Sequence, residues 1–285
     1  MIEVSVRGRA RSGAAAAAWL RVPPKAARRL KGSMNQNALL LAAVPVAGFV
    51  AGFINTLAGT GSLITLPLLI FLGLPATVAN GTNRIGVLLQ NVVAVATFRS
   101  RGALDVAGAW KLVLPAVAGS VLGARLAVDI DQQMMRHVIG VLMLVLLAIM
   151  MLKPERWIAA HATPRAPRLW IEVPIFFAIG VYGGFLQAGV GIFLLAALVL
   201  GAGFNLVGAN GVKNLIVLLL TGVAIPVFVL HDQVQWAMGL LLGAGQAVGA
   251  WAAAHVAIKK GAEFVRIFVI VTVLLSALAL FAGFG

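Results

Sequence analysis

Cysteine is absent from the 285 residues, which removes disulfides, zinc-thiolate centres and thiol nucleophiles from consideration. Acid is nearly as scarce, with 8 Asp+Glu set against 22 Lys+Arg. No HExxH, GxSxG, Walker or GxGxxG arrangement stands in a useful context, and no nucleophile-base pair is visible, so neither an enzyme, a metal site nor a cofactor is expected. What the chain has instead is hydrocarbon: 61% of its residues are apolar, 11% are charged, and the mean hydropathy is +1.03. A soluble domain of this size has no way to hide so much apolar surface. The expected solvent is lipid, and the expected class is an all-α polytopic membrane protein.

A net charge of +14 would suit nucleic acid, but its distribution does not. Eight of the 22 Lys+Arg lie in residues 1–33, and most others fall in short loops between apolar runs, with no basic stripe interleaved with aromatics. Residues 1–36 read as a basic Arg/Ala-rich leader: a cytoplasmic arm, a targeting segment, or a stretch preceding a start at Met34. They are set aside for fold reasoning.

Eight apolar runs are long enough to span a bilayer, at about 37–57, 77–98, 106–128, 135–152, 169–188, 206–230, 233–256 and 263–283. Two more, SLITLPLLIFLG at 62–73 and GIFLLAALVLGA at 191–202, would be only about 18 Å long as helices, which predicts half-helices. Each follows a glycine-rich break, GFINTLAGTG at 52–61 and GFLQAGVG at 184–191, and each precedes an Asn-Gly segment. The order predicts two homologous repeats, 37–152 and 169–285, joined by a cytoplasmic linker at 153–168. Setting the leader aside, the positive-inside rule favours inverted repeats, by nine loop cations to two. Counting the leader's cations reverses that advantage and favours parallel repeats. The expectation adopted is inversion.

The Asn-Gly segments pose the chemical question. NGTNR at 80–84 and NGVKN at 210–214 both place a cation and amides inside apolar runs. At three-four spacing Asn80, Asn83, Arg84, Val87, Gln90 and Asn91 share one helix face, and Asn210, Lys213, Asn214 and Thr221 share another. A central Arg or Lys facing lipid costs at least about 2.5–3.5 kcal/mol, so both faces are expected to look into the protein. The bland alternative is that both cations snorkel to headgroups. All eight carboxylates lie in the leader, in loops or near segment ends, so no acid waits at the membrane centre.

Cations and amides without a counter-carboxylate suit a small anion. Arg84 would grip two oxyanion oxygens, Lys213 would act as a point charge, and Asn80, Asn83, Asn210 and Asn214 would donate further hydrogen bonds. Gly59, Gly61, Gly189 and Gly191 would let the backbone turn, Ser62 would cap the following half-helix, and helix amino ends would add positive potential. Asn55 and Gln187 are matched polar residues before the breaks, and each reads equally well as a helix-helix hydrogen bond. Glycine runs such as Gly239–Gly243 and Gly245–Gly249 read as close helix packing.

On the stretches AGFINTLAGTGSLITLPLLIFLGLPATVANGTNRIG at 51–86 and GFLQAGVGIFLLAALVLGAGFNLVGANGVKN at 184–214, and on the duplicated layout, residues 37–283 resemble the sulfite exporter TauE/SafE family. The family's glycine runs are usually richer than here, where Thr60 and Ser62 flank Gly61 and Ala197 stands where the first repeat has Pro67. The resemblance implies a multi-pass permease of the bacterial inner membrane that exports a small anion associated with sulfite, sulfonates or related compounds. Its expected partners are that anion and the bilayer, not nucleic acid, with a homo-oligomer left open. The rival from another class is a non-transporting membrane assembly or partner-binding protein.

Overall fold

The computed structural model describes residues 38–104, 106–151 and 169–282; the leader and the 153–168 linker lie outside the described residues. Every regular element among the described residues is helical. Helix α1 (Ala38–Ala58) is followed by a break and a short α2 (Ser62–Phe71), then by α3 (Ala76–Ser100), α4 (Val106–Val128) and α5 (Gln132–Met151). The order long helix, break, short helix, polar helix then recurs. Helix α6 (Leu169–Phe185) leads through a break to α7 (Val190–Ala196), which runs into a π-helical turn at Ala197–Gly201 and on to α8 (Leu206–Leu230). The last helix, α9 (Trp236–Ala282), is broken at Gly261, where φ is 75° and ψ −170°. That break separates the two runs expected at 233–256 and 263–283.

Large apolar side chains lie on the surface, and polar ones are buried beside an apolar core. Leu114, Leu126, Trp170 and Val248 are exposed, whereas Asn80, Asn83, Arg84, Gln90, Asn91, Asn210, Lys213 and Gln246 are buried. Polar groups inside and hydrocarbon outside is the arrangement that a lipid solvent selects. Among the described residues, three stretches are long and apolar enough to cross a membrane: Ala109–Val128, Leu206–Leu230 and Trp236–Val265. Ala43–Ala58, Ser62–Phe71, Leu169–Phe185 and Val190–Gly201 are shorter apolar helices. Helix α3 has 25 residues, enough to span about 37 Å, but it falls outside the apolar set because its inward face carries the Asn-Gly segment.

Small residues set the close helix contacts. Gly180 and Gly184 of α6 rest on the carbonyls of Ala116 and Ser120 in α4, and Gly119 and Gly123 of α4 answer against Phe177 and Val181. Gly245 and Gly249 of α9 rest on Pro45 and Phe49 of α1, while Gly48 and Gly52 face Leu242 and Gln246. A methyl at any of these positions would meet main chain of the opposing helix, which is the small-residue packing expected of helices in lipid. Helix α8 packs on α3 and α4, and its Ile216, Val217 and Leu220 belong to the central apolar cluster with Leu57, Val87 and Val190.

Candidate functional site

The two breaks meet each other. Gly59 holds φ 80° and Gly189 φ 71°, both in the left-handed region that glycine adopts without strain. A Cβ built on Gly59 would fall on the Cα of Gly191, and one built on Gly191 would fall on the Cα of Gly59. Around this contact lies a small cavity lined by Asn55, Asn91, Gln187, Lys213 and Asn214 together with the two glycines. Its accessible space is about 10 Å³, room for a single water-sized group.

A helix that stops inside a protein leaves its last four carbonyls without intrahelical partners. For α6 all four are accounted for. The carbonyl of Tyr182 accepts from the Leu186 amide at 2.9 Å, Gly183 from Arg84 Nη1 at 3.1 Å, Gly184 from Arg84 Nη2 at 2.5 Å, and Phe185 from Asn80 Nδ2 at 2.8 Å. The Arg84 guanidinium also lies 4.3 Å from the ring centroid of Phe228, a cation-π contact.

At the end of α1 the other Asn-Gly segment does the same. Lys213 Nζ donates to the carbonyls of Asn55 at 3.1 Å and Thr56 at 2.5 Å and to Asn210 Oδ1 at 2.8 Å. Three acceptors around one nitrogen require three N–H bonds, so this geometry is that of the ammonium. Asn214 Nδ2 reaches the Thr56 carbonyl at 3.4 Å and the Asn210 carbonyl at 2.8 Å, and Asn210 Nδ2 turns back to Leu206 at 3.3 Å. Arg84 of α3 therefore caps α6, and Lys213 of α8 caps α1. A cation at a helix carboxyl end is also favoured by the helix dipole.

Arg84 is 0% and Lys213 1% exposed, so neither snorkels. Among the described residues, both contact neutral groups alone. Nine of the expected site residues fall into three sets. Asn55, Gly59, Gln187, Gly191, Lys213 and Asn214 line the cavity; Asn80 and Arg84 sit at the carboxyl end of α6; Asn83 ties α2 to α3. Asn83 Nδ2 donates to Ser62 Oγ at 3.1 Å, while Asn83 Oδ1 accepts from Thr65 Oγ1 at 2.6 Å.

Ser62 does not cap α2: the capping position belongs to Gly61, which makes no side-chain cap, and Ser62 is the first helical residue, turned toward Asn83. Gly61 abuts α1, where a Cβ would meet the Ala51 carbonyl. The first amides of α2 are already bonded within their own turn, Leu63 to Thr60 at 2.9 Å and Ile64 to Gly61 at 3.0 Å. The polar helices thus meet the carboxyl ends of the long broken helices, where the sequence had suggested the amino ends of the short ones.

Asn55 makes the helix-helix bond named as its alternative, from Nδ2 to Gln90 Oε1 at 3.1 Å, and Gln187, which lies in the second break, donates from Nε2 to Thr221 Oγ1 of α8. Gln187 holds φ 68°, an uncommon conformation for a residue with a side chain, at the mouth of the second break. The residue that site selection passed over is Asn91. Its place on the three-four face of α3 was the available signal, and it lines the cavity.

The family model described as Sulfite exporter TauE/SafE matches residues 44–280. The chain belongs to the TauE/SafE family. Membership sets it among membrane transporters. It is 31% identical over 246 residues to a Sinorhizobium protein called probable membrane transporter protein ORF9, a match covering 85% of this chain and 93% of that one. It is 28% identical over 232 residues to a probable membrane transporter protein of Haemophilus influenzae, covering 81% of this chain and 91% of the relative. With probable membrane transporter protein YfcA of Escherichia coli (strain K12) the identity is 27% over 252 residues, covering 87% and 92%. No solved structure matches the chain. The TauE/SafE match runs through both broken helices and both Asn-Gly segments, so the cross-capping lies within the region that the family model describes.

Proposed function

We propose that the protein exports a small anion, such as sulfite, an organosulfonate or a related oxyanion, across a bacterial inner membrane, by alternating access at a site between two inverted repeats. The observation that carries this reading is the pair of buried cations, Arg84 and Lys213, whose partners among the described residues are all neutral. Hydrogen bonds to carbonyls leave the Nε of Arg84 unpaired and offset only part of the charge of the two cations, and a mobile anion offsets the rest. The reciprocal capping supports two related halves, because an exchange in which each polar helix holds the other half's broken helix is what a two-fold axis generates. Inversion rests on the loop cations. Export is energetically natural: a monovalent anion leaving a negative interior gains about 2.3 kcal/mol per 100 mV.

In this reading the substrate competes with main-chain carbonyls for Lys213 and Arg84. An anion that draws Lys213 from Asn55 and Thr56 also loosens the end of α1, so binding and movement of a broken helix become one event. The cavity's space of about 10 Å³ is that of a closed state. The test is flux of labelled sulfite and of small sulfonates from liposomes holding the purified protein. Wild type moves at least one of them faster than empty liposomes, and Lys213→Met and Arg84→Met, recovered intact in the membrane, do not. Wild-type flux equal to that of empty liposomes rejects the transport reading, and normal flux in either variant rejects the site.

A further inference from the structure

Two oxygen atoms at the cavity have no partner. Asn91 Oδ1 and Gln187 Oε1 are buried without a hydrogen bond, on residues that are 0% and 2% exposed and that both line the space between the breaks. The orientation of the Asn91 amide is fixed by chemistry. Its Nδ2 donates to the Val87 carbonyl at 2.7 Å, and a flip would set oxygen against oxygen. The oxygen is therefore the amide atom left without a partner. A buried acceptor without a donor is a rare feature that calls for a reason, and a guest carrying a donor is one.

Lys213 lines the same cavity, and its Nζ holds the end of α1. A metal ion would suit the two oxygens but not the fixed positive charge beside them. A fully deprotonated oxyanion would suit the ammonium but would bring its own lone pairs against Asn91 and Gln187. A guest with a negative charge at one end and an O–H or N–H at the other satisfies both.

We infer that the site selects small monoanions that retain one hydrogen-bond donor, and that Asn91 is the specificity-determining residue that accepts from it. This rests on the transport reading above and narrows its substrate class. A lone water bonded to the two oxygens is the competing occupant, and the present space admits one. An oxyanion of four heavy atoms enters only once the breaks at Gly59 and Gly191 move apart.

Hydrogen sulfite and chlorate form the discriminating pair: both are compact pyramidal monoanions at mildly acid pH, and only the first carries a proton. Transport currents from the full-length protein in liposomes on a solid support give an apparent affinity for each. Wild type is expected to prefer hydrogen sulfite by on the order of 10-fold, the worth of one donor meeting an otherwise unpaired buried acceptor. Asn91→Leu, close to isosteric and without an acceptor, is expected to bring the ratio near one. Asn91→Ala carries the same test if the leucine variant is not recovered as a monodisperse protein.

Equal affinities in wild type, or a preference unchanged in Asn91→Leu, overturn donor recognition and assign the oxygens to a water, while leaving transport intact. Absence of current from either anion and from every small sulfonate overturns the transport reading, and the selectivity falls with it.

Discussion

Replacing Gly191 by alanine tests whether the two breaks are in contact as described. The added Cβ would fall on the Cα of Gly59 and lie 3.3 Å from the Gly59 carbonyl carbon and oxygen. Everything it meets there is backbone, so no flexible side chain is available to yield. Gly191 is not among the positive-φ glycines, so the cost is steric alone, about 1–3 kcal/mol on the scale of overpacking. Gly59→Ala presses on the same point and also forces a Cβ into the left-handed region, which adds about 1–2 kcal/mol. Gly140 of α5 is the control: a Cβ there meets nothing within 4 Å, and alanine gains up to about 1 kcal/mol of helix propensity. Melting of each variant in one detergent should rank Gly140→Ala at or above wild type, then Gly191→Ala, then Gly59→Ala. Anion flux should fall in the last two, because the cavity is built on this contact. A Gly191→Ala protein that melts and transports like wild type would mean that the breaks do not touch, and the cavity between them would have to be abandoned.

Two further substitutions address the supporting structure. Asn83→Leu removes the bonds to Ser62 and Thr65 and should lower stability by about 1–3 kcal/mol, read as a lower melting midpoint; an unchanged midpoint would show that α2 is held by its apolar face alone. Asn205 Oδ1 accepts from the Gly208 amide at 2.8 Å and caps α8, so Asn205→Ala should cost about 1 kcal/mol, with Asn205→Ser recovering most of it.

The helices were legible in the chain because lipid imposes a length and the breaks carry glycine. The runs expected at 106–128 and 206–230 coincide with Val106–Val128 and Leu206–Leu230, and the half-helices start within a residue of Ser62 and Val190. The inward orientation of Arg84 and Lys213 was legible too, since a cation spaced with amides on one helix face has only the interior to look at. Their partners were not. Arg84 meets carbonyls 99 and 100 residues away and Lys213 meets carbonyls 158 and 157 residues away, and a main-chain carbonyl leaves no mark on composition or spacing. The role of Ser62 was misjudged for a related reason. Serine before an apolar run is a capping signal, but Asn83 lies close enough to claim its hydroxyl, and long-range contact outweighed the local pattern.

Capping and the proposed anion binding draw on different properties of the same side chains. A helix carboxyl end carries roughly half a negative charge in its unpaired carbonyls, so an Arg or Lys seated on it is neutralised by only about half. Arg84 on α6 and Lys213 on α1 are each left with roughly half a positive charge, and their described contacts are all neutral. At an effective dielectric of about 20, a full negative charge about 4 Å from such a half-neutralised cation gains roughly 2 kcal/mol, small enough for a bound guest to be released. In the proposed reading a monovalent anion beside Lys213 offsets that half charge, whereas a divalent one would bring more surplus negative charge to the unpaired oxygens of Asn91 and Gln187. The half-neutralised charge of Lys213 and the acceptors of the same cavity therefore favour the same proposed guest.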